Sequence, residues 1–215
     1  MEPSHKKIVA LADKLRLSDK TRGQLNSMLK DVIGAIRVSF LEMKNQSENI
    51  EMAANVVIKS LQAGKKIIFC GNGGSAGDSQ HLAAELMGRY KVDRKPLPAI
   101  ALTVDTSAIT AIGNDYGYEN VFSRQLKGIG NKGDVLISIS TSGKSENILR
   151  AIVEAKKMDI YVISFTGIND SEMKKLSDLS ISAQSSETNH IQEMHIAIGQ
   201  LICGIVEDAV IENKI

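Results

Sequence analysis

Residues 66–86 read KIIFCGNGGSAGDSQHLAAEL, and the order of textures in that stretch decides the fold. A short apolar run, Lys66–Cys70, passes straight into the small-residue loop Gly71-Asn72-Gly73-Gly74-Ser75, and a helical pattern begins near Ala76. Strand, glycine loop and helix in that order open a βαβ unit. The glycines permit close backbone approach by a ligand, and the amino end of the following helix favours an anion. The loop is not a P-loop, because the Lys-Ser/Thr ending is missing. It is not the dinucleotide fingerprint either, which needs G-x-G-x-x-G.

Outward from this stretch, short apolar runs at Ala99–Val104, Val135–Ile139, Tyr161–Phe165 and Leu179–Ser182 alternate with helical segments. That alternation predicts an α/β domain with a parallel sheet. Three of the strands run into small-residue loops: Gly71–Ser75, Ser140-Thr141-Ser142-Gly143 and Thr166-Gly167. In open α/β sheets ligands bind at the carboxyl ends of the strands, where these loops lie. The second loop continues through Lys144 and Ser145 to the predicted helix Glu146–Lys157. An ordinary serine cap would account for one hydroxyl there, not for Ser140, Thr141, Ser142 and Ser145 together. Several hydroxyls with free amide groups at a helix start make a phosphate site without a cluster of cations.

The flanks are helical. From about residue 5 to residue 63, Leu25, Met28, Leu29, Val32, Ile33, Ile36 and Phe40 recur at spacings of three and four. The last helix, His190 to Ile211, carries Ile191, Met194, Ile198, Leu201, Ile202 and Val206 on its apolar side.

Composition narrows the function. The 26 basic and 25 acidic side chains nearly cancel, Trp is absent, and Phe and Tyr number four each. A nucleic-acid groove needs a basic surface with stacking aromatics, so that class is excluded. The start, MEPSHKKIVALADKLRL, has no long apolar core, so neither a signal peptide nor a membrane span is expected and a cytoplasmic location follows. Cys70 and Cys203 lie in apolar runs as small buried hydrophobes, without a second Cys or His at metal-ligand spacing.

Four ordered blocks, CGNGGSAGDSQHLAAELMGRY, AIGNDYGYENVFSRQL, GDVLISISTSGKSENI and HIQEMHIAIGQLIC, carry a resemblance between about Ile50 and Glu212. The chain resembles sugar isomerase (SIS) domains and, among them, the sedoheptulose 7-phosphate (phosphoheptose) isomerases. The resemblance implies a three-layer αβα sandwich with a five-stranded parallel sheet and N-terminal helices. The chain then divides into a helical oligomerisation segment, 1–48, and a sugar-phosphate-binding domain, 49–215. It further implies a homotetramer with active sites at subunit interfaces. The implied reaction converts sedoheptulose 7-phosphate to a heptose 7-phosphate for surface-polysaccharide precursors.

His81 and Glu85 stand at i and i+4, on one helix face. By the resemblance Glu85 is the catalytic carboxylate, which suits an enediol isomerisation needing a base to move a proton between the carbons beside a carbonyl. The family has a catalytic His eight residues after the Gln of its I-Q-E block; that Gln is Gln192, and eight positions on stands Gln200. An amide exchanges no proton near neutral pH. The remaining proton-transfer partners are then a metal-bound water or the histidines His195 and His190. His195 is expected in a hydrogen bond on the helix surface or at an interface. Some members hold zinc, which implies His81, Glu85, Gln192 and position 200 as ligands. An amide at 200 weakens that set. A rise of about 12 Å separates Gln192 from Gln200 on a straight helix. The resemblance also assigns the sugar phosphate to Asn72, Gly73, Gly74, Ser75, Arg89, Asn114, Asp115, Ser140, Thr141, Ser142, Ser145 and Gln192. Arg89 is placed one turn beyond Glu85 on its helix face, and Asp105 is expected to cap the next helix. The alternative function is a non-catalytic sugar-phosphate-binding or replication-initiator-associating regulator on the same scaffold.

Overall fold

The structure, a computed structural model, describes residues 19–215. The helical expectation for residues 5–18 and the side chain of Ile36 lie outside the described residues. Helix α1 (Asp19–Glu42) leads through a 3-10 turn (Met43–Gln46) into α2 (Ser47–Gln62). Then follow β1 (Ile67–Gly71), α3 (Gly74–Met87), β2 (Ala99–Ala101) and α4 (Thr106–Tyr116). A second 3-10 turn (Tyr118–Asn120) precedes α5 (Val121–Ile129), β3 (Val135–Ile139), α6 (Glu146–Lys157) and β4 (Tyr161–Thr166). The chain ends with α7 (Glu172–Leu176), β5 (Leu179–Ser182) and α8 (Thr188–Ile211). Residues 39–215 form one compact unit, divided from the preceding chain between Val38 and Ser39.

All pairings in the sheet are parallel, in the order β2-β1-β3-β4-β5. Strand side chains alternate between faces, and the core divides accordingly. Ile67, Phe69, Ile137, Ile163 and Phe165 join α2, α3 and α8 on one face. Ile68, Cys70, Leu136 and Val162 join α5 and α6 on the other. This is the expected three-layer sandwich. Continuous burial of β1 and β3 is what a sheet covered on both faces requires. Asp134, 1% exposed, ties the amino ends of β1 and β3 by accepting from Lys66 N–H (3.0 Å), Lys66 Nζ (2.7 Å) and Asn131 N–H (2.7 Å).

Three boundaries differ from the sequence reading. β2 stops at Ala101, not Val104, because the chain must turn before Asp105, whose carboxylate accepts from Ala108 N–H at 2.9 Å and caps α4 as expected. α3 begins at Gly74, two residues early, after Gly73 adopts a φ of 56° that only glycine takes readily. Leu201 is half exposed, although the helical pattern put it on the buried side of α8.

By length and composition α8 could cross a membrane, but half of its apolar window is buried in the fold. Ile191, Met194, Ile198, Ile202 and Val206 pack on the sheet, which accounts for its apolarity. On α1, by contrast, Leu25, Met28, Leu29, Val32, Ile33 and Phe40 are all exposed.

Candidate active site

The strand order reverses at β1: β2 lies to one side of it and β3 to the other. A crevice opens at the carboxyl ends of the strands flanking such a switch point. The two loops singled out in the sequence, 71–75 after β1 and 140–145 after β3, therefore meet there. The Asn72 amide nitrogen donates to Asn147 Oδ1 (2.8 Å), and that of Asn147 donates back to Asn72 Oδ1 (2.9 Å). Asn147, 3% exposed, sits in the first turn of α6, so the pair links the glycine loop to the helix that the serine loop opens. Tyr118 Oη donates to Asn72 Oδ1 at 3.2 Å. Neither Asn147 nor Tyr118 was singled out in the sequence, since a lone Asn or Tyr carries no pattern.

In the serine loop, Ser140 Oγ lies 3.4 Å from Ser145 Oγ and 3.5 Å from Ser142 Oγ, and it accepts from Gly143 N–H at 3.1 Å. Ser145 occupies the N-cap position of α6, yet its side chain makes no capping bond. The ordinary serine cap is thus not what this loop builds, and hydroxyls stand together at a helix start, the chemistry a phosphate needs. Thr141 fixes the neighbouring loop instead, its carbonyl accepting from Gly167 N–H at 3.2 Å.

Helices α3 and α8 run side by side in the same direction. The Gln192 amide lies over Gly74, so near that a β-carbon there would meet its Nε2 at 2.6 Å. About two turns further on, a β-carbon at Gly199 would meet the Leu82 side chain at 2.4 Å, and Gly204 faces Tyr90. Between these contacts Gln200 Nε2 stands 3.2 Å from His81 Nε2, and that same ring nitrogen stands 3.0 Å from Glu85 Oε1. A ring nitrogen carries at most one proton. It donates to Glu85 when Gln200 presents its carbonyl oxygen, or it accepts from the Gln200 amide and leaves the carboxylate free. Of the four residues expected to share a metal, His81, Glu85 and Gln200 stand together, while Gln192 serves a different point of α3. The 12 Å helix rise separates the two glutamines, as the spacing requires.

Burial alters the titratable groups along these helices. Burial pushes the Asp78 carboxyl up to about 6, with His81 pulling the other way, and its Oδ2 is buried without a hydrogen-bond partner. Asp78 precedes His81 by three residues and Glu85 by seven, on one side of α3; the sequence reading passed it over because nothing in the spacing distinguishes it from a solvated helix residue. Burial, and then the Glu85 carboxylate, push the Cys203 thiol up to about 12, so it is inert.

Several expectations are corrected. His195 is not on the surface: it is fully buried, stacks near Phe165 at 5.9 Å between centroids, and donates from Nε2 to the Thr166 carbonyl at 3.0 Å. Burial lowers its pKa to about 4, against the Thr166 bond, and it is committed to the core. His190 pairs with Glu193 at 2.9 Å. The histidine beside Glu85 is His81. Arg89 lies past the end of α3 at Met87, so helix spacing does not aim it; it is exposed. Asn114 and Asp115 are exposed in the last turn of α4, bonded to each other at 2.8 Å.

A zinc ion is a poor fit to these residues. His81 and Glu85 are the two zinc-type donors, Gln200 adds an amide, and Gln192 lies at Gly74. Among the described residues no group of three or more His, Cys, Asp or Glu gathers to hold a metal. Zinc sites in proteins use at least three N, O or S ligands of those kinds.

Comparison with known proteins identifies the family of this fold. Residues 33–167 match the family model described as SIS domain. The chain is 50% identical over 183 residues to the phosphoheptose isomerase of Akkermansia muciniphila, covering 85% of this chain and 97% of that relative. It is 55% identical over 161 residues to that of Nitratiruptor, covering 75% and 86%. Among solved structures, the phosphoheptose isomerase of Neisseria gonorrhoeae superposes with a TM-score of 0.81 at 37% identity, covering 86% of this chain and 99% of that one. The Francisella tularensis enzyme gives 0.82 at 34%, covering 85% and 97%. Fold, crevice and relatives agree, and the chain belongs to the SIS-domain phosphoheptose isomerase family.

Proposed function

We propose that this protein isomerises sedoheptulose 7-phosphate to D-glycero-D-manno-heptose 7-phosphate, a precursor for surface polysaccharide. The observation that carries the reading is the Glu85–His81–Gln200 group, on the helix that opens from the glycine loop. Ser140, Thr141, Ser142 and Ser145 hold the phosphate at the start of α6, with Ser75 at the start of α3. Asn72, Gln192, Gly73 and Gly74 line the sugar's path, and the family resemblance adds Arg89, Asn114 and Asp115, all three exposed.

Aldose and ketose differ by two hydrogens exchanged between neighbouring carbons. Glu85 takes the proton from the carbon beside the carbonyl, the electron pair moves into an enediol, and Glu85 returns the proton to the adjacent carbon. The hydroxyl proton must also cross from one oxygen to the other. Gln200 has no proton to exchange, so this falls to His81, 3.0 Å from Glu85. Gln200 holds the His81 ring. Zinc, where bound, would be held weakly by His81 and Glu85, and occupancy is low.

The exposed stripe from Leu25 to Phe40 supports a homotetramer built through the segment 1–48, because an apolar face of that length needs a covering surface. A cytoplasmic location fits a phosphorylated sugar substrate. The test is incubation of the pure protein with sedoheptulose 7-phosphate, followed by NMR. Appearance of the heptose 7-phosphate supports the reading; a sugar phosphate that binds without being converted refutes it and favours a regulator.

A further inference from the structure

Arg94 stands in the segment between α3 and β2, away from both loops, with its side chain 3% exposed. Its guanidinium donates to four backbone carbonyls: Nη2 to Glu85 (2.6 Å), and Nη1 to Leu86 (2.8 Å), Lys95 (3.0 Å) and Gly88 (3.3 Å). Three of these lie at the carboxyl end of α3, where a helix leaves carbonyls unpaired. The first belongs to the residue placed as the base. On its other side, Arg94 Nε stands 3.3 Å from Oε1 of Glu207, whose side chain is also 3% exposed.

Glu207 lies on α8 seven residues beyond Gln200, two turns along the same face, about 10 Å away. Its carboxylate also accepts from the backbone N–H groups of Tyr90 (3.0 Å), Lys91 (2.9 Å) and Val92 (3.2 Å). Burial pushes the carboxyl up, but these three bonds and Arg94 outweigh it and hold the group below its usual range. Every oxygen of Glu207 and both terminal nitrogens of Arg94 are thus directed at fixed backbone.

Stability alone is a weak reason to bury such a pair, since well-packed apolar side chains of similar volume often serve as well or better. What a rigid guanidinium fork adds is direction. Here it joins the two helices whose side chains make up the Glu85–His81–Gln200 group. The crossing at Gly199 and Leu82 brings the helices close, yet apolar contact tolerates sliding along the axes. Bonds to four named carbonyls and three named amides do not.

We propose that Arg94 and Glu207 are positioning residues of the isomerase site: a buried clamp that sets the axial register of α8 against α3 and so holds Gln200 against His81 and Glu85. The proposal rests on the isomerase reading. Its rival is a clamp that holds the fold and leaves the site indifferent.

Arg94→Lys keeps the charge opposite Glu207 but loses the fork, and Glu207→Gln keeps the shape but loses the charge. Each is assayed with sedoheptulose 7-phosphate well below its own melting midpoint, beside the unaltered protein. The expected result is a fall in kcat of tenfold or more with KM within about threefold, because the phosphate grip lies in the serine loop. A lowered melting midpoint with unchanged kcat would overturn the proposal. So would failure of both variants to fold, since the pair would then hold the fold itself. If the unaltered protein turns nothing over, the isomerase reading fails by itself. The clamp is then judged on the ring 15N shifts of His81, which move in Arg94→Lys if the register changes and stay if it does not.

Discussion

The amide nitrogen of Gln200 stands 3.2 Å from Nε2 of His81, the same ring nitrogen that lies 3.0 Å from the Glu85 carboxylate. An amide therefore occupies the point from which a third titratable group would act on the sugar.

Restoring that group is the most direct test. Gln200→His supplies a third zinc-type donor beside His81 and Glu85 and a second proton-exchanging ring. Zinc content measured by elemental analysis should rise from well below one per chain towards one, and the isomerisation rate about tenfold or more. Stoichiometric zinc and equal rates in both proteins would show that position 200 has neither role.

Glu85→Gln should lower turnover by about two orders of magnitude or more while leaving sugar-phosphate affinity within about threefold. The side chain can be changed cleanly, because the tie from Arg94 is to the Glu85 backbone carbonyl. Single-turnover kinetics beside calorimetric binding separates the two effects.

Gly74→Ala places a methyl group 2.6 Å from Gln192 Nε2. The end of a flexible side chain moves cheaply, so the melting midpoint should hold within a few degrees. The displaced amide should instead raise KM by about tenfold. An unchanged KM would remove Gln192 from sugar binding.

Acid stability should depend on His195. In the unfolded chain the ring takes up its proton near 6.5, whereas in the fold burial delays this to about 4. The unfolded state therefore binds more protons between those values, so stability is full above 6.5 and is lost on acidification towards 4, by up to about 3 kcal/mol. Asp78 works in the opposite sense, its folded carboxyl taking a proton near 6 rather than 3.8. Denaturant melts of His195→Gln, which keeps a donor for Thr166, should show a shallower loss between pH 6.5 and 4 than the unaltered chain. Parallel curves would contradict this.

Ile33→Asp on the exposed stripe of α1 should dissociate the assembly, read as a fall in mass by light scattering at micromolar concentration. A monomeric mass before any substitution would remove the tetramer.

Much of this arrangement is written locally in the chain. The glycine and serine loops are legible because short continuous apolar runs break abruptly into small residues, and Asp105 because a cap needs only its own helix. The burial of His195 was missed for a physical reason: α8 buries a broad arc, including Gly199, Cys203 and Glu207, wider than the stripe that spacing alone predicts. Arg94 and Glu207 are 113 residues apart, and nothing near either announces that a charge there is buried. Asn147 and Tyr118 likewise acquire meaning from the crossover that sets β3 beside β1.

The reciprocal amide bonds between Asn72 and Asn147 bear on how quickly a sugar phosphate is captured. The two loops are fastened to each other at folding, by groups that need no ligand to complete them. An arriving molecule finds walls already in place and gives up little binding energy to order them. Encounter is then limited by diffusion and by the orientation of the phosphate, not by a wait for the crevice to form.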